Sequence, residues 1–250
     1  MTAYEIIAIS IAGLSMLVSV IPLIWKLIKR PILNHIPTGR GYLFINKSGS
    51  YVQIEGVFEA KNKALTITDS TVRIVREKDE RVLNLSWSSF LSPVNQRIIG
   101  AFSSTSETAH PFRIEADSVY CAFTEYSDIN NSAYLSLEPL FMALDEEANK
   151  YRIITNNMDA IMERYTSSDA YIKAHDALQK QLFWEIGDYV FTLTAKHKKG
   201  SKTFNYTFNL DSGGYSLVKH NMEESLLFPL KTAFGVKTDF RNVQIRIENK

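Results

Sequence analysis

"DYVFTLTAKHKKGSKTFNYTFNL", residues 188–210, decides the fold class. Tyr189, Phe191 and Leu193 alternate with other residues on one arm, and Phe204, Tyr206, Phe208 and Leu210 do so on the other. A period of two places such residues on one face of a strand. Lys198, Lys199, Gly200, Ser201 and Lys202 lie between the arms and supply a charged turn. The segment therefore reads as an antiparallel hairpin with one apolar face.

The same period recurs upstream. Val52 and Ile54 share a face, with Gly56 marking a bulge or a close backbone approach. Residues 64–69 and 71–77 continue the pattern, as do Leu83, Leu85 and Trp87, then Phe112 and Ile114. Val119, Cys121 and Phe123 alternate next, a phase that makes Cys121 a small buried residue rather than a reactive thiol. Near the end, Val243, Ile245 and Ile247 form one more apolar face. Residues 59–64 and 77–80 read as turns, 92–111 are less regular, and 103–110 read as an exposed loop. Short alternating strands separated by turns predict an antiparallel sandwich or barrel, of which the immunoglobulin-like β-sandwich is the expected form. Within the opening hairpin, Gly187–Phe191 (GDYVF) resembles the tyrosine corner of immunoglobulin-like sandwiches. That resemblance implies that Tyr189 turns its hydroxyl back to the backbone and that Phe191 faces the core. It covers five residues, without a Cys…Trp…Cys framework, and carries no function with it.

Residues 139–183 interrupt the strands. Leu144, Ala148, Tyr151, Met158, Ile161 and Tyr165 fall at helical spacing, and Tyr171, His175, Leu178 and Leu182 do so after a Thr-Ser-Ser break. Ser168 is placed to cap the second helix, with Asp169 in its first turn. An inserted helical hairpin follows, with Asn156-Asn157 the point where its first helix ends or bends. Further on, 212–216 (SGGYS) reads as a turn, and a short helix over 222–228 stops near Pro229.

The front of the chain obeys a different rule. Ile6–Trp25 holds 20 residues without a charge, enough for a helix of about 30 Å, the thickness of a bilayer's hydrocarbon. Trp25 closes the run at headgroup level, and Lys26, Lys29 and Arg30 follow. A cleaved secretory signal puts its cations first and a small-residue site after. Here the leader has Glu5 and no cation, so an uncleaved transmembrane helix is the reading. Basic residues flanking such a helix stay in the cytoplasm, which predicts an outer N-terminus and a cytoplasmic domain. The organisation is a leader (1–5), a transmembrane helix (6–28), a basic juxtamembrane linker (29–41), a β-sandwich-like domain (42–130) and the helical hairpin (139–183). Residues 184–250 form a second β-rich unit or complete the same sandwich.

Composition narrows the function classes. The chain has 28 basic and 27 acidic residues; without the juxtamembrane cations Lys26, Lys29, Arg30, Arg40 and Lys47, and without Glu5, 23 basic face 26 acidic. That balance excludes a nucleic-acid footprint. Lys26, Lys29 and Arg30 are placed for anionic lipid. The lone Cys121 suits a reducing compartment. His35, His110, His175, His197 and His220 show no metal-ligand spacing, and His175 on its helical stripe reads as a packed histidine. No G-x-S-x-G elbow, S-x-x-K or Walker A loop occurs; no catalytic residue, metal or cofactor is predicted.

Ala8, Ala12, Ser15 and Ser19 recur at intervals of four, three and four, a small-residue face suited to helix association in lipid, with itself or with another membrane protein. The expected function is a single-pass anchored adaptor that presents its β module to a protein partner at the membrane surface. The alternative is a membrane-active effector whose helices cluster when the β module senses a trigger. An enzyme with an unrecognised site is the third class.

Overall fold

A computed structural model of the chain describes residues 2–47, 49–91, 96–98, 101–103, 106–128, 132–152 and 157–250. It is mainly β, with an apolar N-terminal helix, α1 (Ala3–Ile28). Strands β1 (Ile32–Asn46), β2 (Gly49–Lys61), β3 (Leu65–Arg76) and β4 (Val82–Leu91) come next. The short β5 (Gln96–Ile98), β6 (Ala101–Ser103), β7 (Ser106–Thr108) and β8 (Phe112–Ile114) precede β9 (Ser118–Ser127). Three helices interrupt, α2 (Ser132–Tyr151), α3 (Met158–Thr166) and α4 (Asp169–Gln181). The chain finishes with β10 (Gly187–His197), β11 (Gly200–Leu210), α5 (Ser212–Ala233), β12 (Val243–Arg246) and β13 (Glu248–Asn249).

The long strands form one antiparallel sheet in the order β12-β1-β2-β9-β4-β3-β10-β11-β13, with β7 beside β4 and β8 beside β3. The mainly β expectation is met, while the sheet is close to a closed barrel and not clearly an immunoglobulin-like sandwich. Two pairings cause it. β10 runs along β3 from Tyr189↔Arg76 to His197↔Ile67, so strands on both sides of the helices share one sheet. Residues 243–249 then touch both edges, β12 pairing with β1 and β13 with β11. Ile247 N donates to Gly39 O at 3.0 Å and Lys250 N to Asn205 O at 3.2 Å, holding the seam. Inside it, His35 of β1 and Tyr206 of β11 share a 2.7 Å hydrogen bond. Alternation alone cannot separate sandwich from barrel, because both need one apolar face per strand.

Other expectations shift with closure. Of residues 29–41, read as linker, all from Ile32 onward lie in β1; Pro37 and Gly39 instead mark a register shift between Pro37 and Gly41, the kind of place where a strand tolerates proline. Gly56 meets a close approach: a Cβ there would collide with the His35 ring at Nε2. The phase of β9 is inverted. Ala122, Thr124 and Tyr126 are buried, while Cys121 is exposed and Val119 is 63% exposed. Both faces of that strand carry apolar atoms, and a shift of one residue exchanges them. The Tyr126 hydroxyl meets Ser70 Oγ at 2.9 Å, which lets it lie inside.

The expected hairpin is three helices. Ser168 caps α4 by accepting from Tyr171 N, and Asn157 caps α3; Asn156 lies outside the described residues, as do 92–95, 99–100 and 104–105 of the irregular stretch. Pro229 does not stop the last helix, and 212–216, read as a turn ahead of it, is instead its first turn. The missing N–H costs one helical bond, against which Val218, Met222, Leu226 and Leu230 are all buried. Asn221 on α5 donates to Arg241 O at 2.6 Å and accepts from Arg241 N at 2.8 Å, delivering the chain to β12.

His35 gives the fold an acid sensitivity. Burial lowers its pKa from 6.5 to about 4. The unfolded chain therefore takes up a proton at higher pH than the folded one. Stability is full above pH 6.5 and falls as pH drops towards about 4, by about 3 kcal/mol. Urea titrations of the wild type and His35→Gln across that window should diverge by this amount; parallel curves refute it.

Candidate functional site

The site is built where α1 meets the sheet. Only residues 29–31 separate Ile28 from β1, a span of about 14 Å at most. The side chain of Asn62, in the β2–β3 turn, donates to Arg30 O at 3.0 Å, and its backbone N–H donates to Asp117 Oδ1 at 2.8 Å. Asn62 holds φ of +69°, a left-handed conformation that asparagine tolerates in turns. The segment after α1 is thus fastened to the sheet rim at Arg30.

The β10–β11 hairpin ends at the same rim. His197 pairs with Gly200, leaving Lys198 and Lys199 as a two-residue turn. Lys196 Nζ lies 2.8 Å from Asp69 Oδ2, and Thr68 Oγ1 donates to Lys196 O at 3.3 Å, so the turn is tied to β3. Ile28, Lys29, Arg30, Pro31, Lys63, His197 and Lys199 together line a cleft of about 450 Å³. No residue lining it is acidic. Nearby acids have other partners: Glu59 has Lys61 at 3.3 Å and Asn34 at 2.8 Å, and Glu115 has Arg113 at 2.7 Å. The Asn34 amide, with Lys61, holds the Glu59 carboxyl below its usual range.

Of the residues singled out in the sequence, Lys29 and Arg30 lie in this cleft; the side chains of Trp25 and Lys26 lie outside the described part. Ala8, Ala12, Ser15 and Ser19 are exposed along α1. Ser19 Oγ donates to Ser15 O at 2.9 Å, so that hydroxyl is satisfied within its own helix. Trp87 is half-buried, donating to Ser89 O at 3.1 Å. The Tyr189 hydroxyl donates to Glu185 O at 2.6 Å and accepts from Glu185 N at 2.8 Å, while Phe191 is buried in the sheet interior. His175 is not packed in the core: its side chain is 39% exposed. Sequence reasoning missed Lys63, His197 and Lys199. Only the charge of the hairpin turn was visible; its neighbour in space was not.

A second cleft, about 270 Å³, opens at the opposite end between the sheet and α2 and α4, lined by Ser50, Arg81, Asp128, Leu137, Lys180 and Phe183 among others. Asp128 Oδ1 accepts from Ser50 N at 2.8 Å, and burial pushes the carboxyl above its ordinary value. The volume falls below the roughly 300–1,000 Å³ of small-molecule sites. Among the described residues no group of three or more His, Cys, Asp or Glu side chains could hold a metal ion.

No family model matches the chain, and no curated protein matches it. Among solved structures, it is similar to Spo0M, a sporulation control protein from Bacillus subtilis, at 8% identity and TM-score 0.28, covering 79% of this chain and 55% of that one. A family 123 glycoside hydrolase from Clostridium perfringens is similar at 8% identity and TM-score 0.30, covering 72% of this chain and 27% of that one. The chain thus spans about half the length of the first and about a quarter of the second. Neither likeness carries an argument about activity.

Proposed function

We propose that this chain is a single-pass membrane protein that holds its β-rich domain on the cytoplasmic surface and binds a protein partner there. One observation carries the reading. The apolar window Ala3–Pro22 has none of its residues buried against the domain. A helix so apolar and so bare is stable where lipid covers it. Lys26, Lys29 and Arg30, just after the apolar run, favour the cytoplasmic side. Support for a partner comes from the opposite end. Leu135 and Met142, seven apart on α2, are 58% and 60% exposed, and Ile172 and Ile186 are about half-exposed. Large apolar side chains presented away from the bilayer suit a protein contact.

The test is topological. In cells expressing the full chain with a C-terminal tag, alkaline carbonate should leave the protein in the membrane pellet and detergent should release it. Protease added to intact cells should spare the tagged domain, and permeabilisation should expose it. Digestion in intact cells would overturn the orientation, and carbonate release would overturn the anchor.

A further inference from the structure

We infer that the barrel wall takes an extended segment of a protein partner as an added strand, between residues 32–38 of β1 and 200–204 of β11. The inference rests on the partner reading above and supplies the partner's conformation and its seat. β1 and β11 do not pair with each other. Residues 243–250 lie between them, bonded first to β1 through 40–43 and Gly39 O, then to β11 through Tyr206, Thr207 and Asn205 O. Past those contacts, among the described residues, neither strand has a strand partner on this side.

Alternation identifies the free main-chain groups. The β10–β11 turn closes on the pair His197 and Gly200. The closing pair of such a hairpin is hydrogen-bonded, so Lys202 and Phe204 bond to β10 while Ser201 and Thr203 point away. Asn205 O, in the same phase, accepts from Lys250 N. On β1, Gly39 O faces residues 243–250. His35 O turns the same way, accepting from the Tyr206 hydroxyl of β11 at 3.4 Å, and Leu33 shares that side by the period of two. Pro37 has no N–H to give and blunts only the top of this edge. Two edges thus offer donors and acceptors across a gap that one strand of this chain already enters. They suit a further strand in line with it, held through its main chain. Its inward side chains must be small, because the rings of His35 and Phe204 already meet behind it, 5.6 Å apart. Its outward ones lie beside Ile32 and Ile36, 47% and 54% exposed, and are favoured if apolar.

The test follows amide hydrogen exchange, residue by residue, in the full chain held in phosphatidylcholine nanodiscs. Without peptide, the Leu33, His35, Ser201 and Thr203 amides should exchange faster than those of Asn34, Ile36, Lys202 and Phe204. The probe is the end-capped peptide SVSVSVS, and SVSPSVS, whose centre cannot donate, is its control. At about 1 mM the probe should slow the four edge amides about ten-fold, the protection given by a Kd of about 0.1 mM. The control should leave them fast. Recognition through the main chain means that Thr203→Ala should keep the slowing at His35. Thr203→Pro should lose it at a melting temperature close to that of the wild type, because β10 does not use that N–H. Edge amides already slow without peptide, in a monomer or in a dimer of this chain, would overturn the proposal. Fast edge amides that the probe leaves unchanged, in a chain still resistant to carbonate, would overturn it and leave the anchor standing. Slowing confined to α2 would seat the partner at Leu135 and Met142, keeping the partner reading and overturning this seat.

Discussion

Arg76→Ala should destabilise the domain by about 2–3 kcal/mol, mainly because the buried Phe183 carbonyl loses a charged donor. The Asp79 and Glu185 carboxylates it leaves, both over a third exposed, are taken up by water. The Arg76 side chain is 3% exposed, yet it reaches acceptors on three residues. Nε donates to Asp79 Oδ1 at 2.8 Å, Nη1 donates to Phe183 O at 2.7 Å, and Nη1 also lies 2.9 Å from Glu185 Oε1. The guanidinium stands 5.8 Å from the Phe183 ring centroid. Removing it leaves a buried carbonyl without its donor and a hole beside an aromatic ring. Lysine offers one point of charge where a fork is required, so Arg76→Lys should recover less than half of the loss.

The same variant has a pH signature. Arg76, through its hydrogen bond, lowers the Asp79 carboxyl from 3.8 to about 2. A carboxylate lowered on folding stabilises the protein above its unfolded value and ceases to do so as pH falls through its folded one. Wild-type stability should therefore drop between pH 3.8 and about 2 through this group, and Arg76→Ala should lack that component. Thermal unfolding in mild detergent across the acid range checks both. A variant as stable as the wild type at neutral pH would show that the network is ornamental.

Legibility followed the range of the interaction. The opening hairpin, the apolar N-terminal run and the Ser168 cap are local, decided within a few residues, and each was readable. Closure of the sheet was not. It depends on β3 meeting β10 and on 243–249 serving both edges, pairings that no periodicity encodes. The β9 phase failed for a chemical reason. Val119, Cys121 and Phe123 look more apolar than Ala122, Thr124 and Tyr126, but Tyr126 satisfies its hydroxyl on Ser70 and fills the interior. The cleft was half visible. Lys29 and Arg30 adjoin the helix, whereas Lys63, His197 and Lys199 come to it only through the register of two hairpins.

Trp184→Ala should cost about 3–5 kcal/mol and lower the melting temperature by roughly 10 °C for a domain of this size. Trp184 is fully buried and lies in 182–186, the link from α4 back to β10. Its ring stands 5.6 Å from Tyr189 and 6.4 Å from Phe208, and its Nε1 donates to Ser50 Oγ at 3.3 Å, so it reaches strands on both sides of the helices. Trp184→Phe keeps most of the apolar area and loses the hydrogen bond, and should cost nearer 1 kcal/mol. Arg76 grips the same link through Phe183 and Glu185. Two residues that hold one segment cannot act independently, so the double variant should lose less than the two single losses added together. Far-ultraviolet dichroism and tryptophan fluorescence should still report one transition in each variant, because the link joins helices and sheet into a single cooperative unit. Two separated transitions in Trp184→Ala, with the helices melting first, would mean that the helices only lean on the sheet.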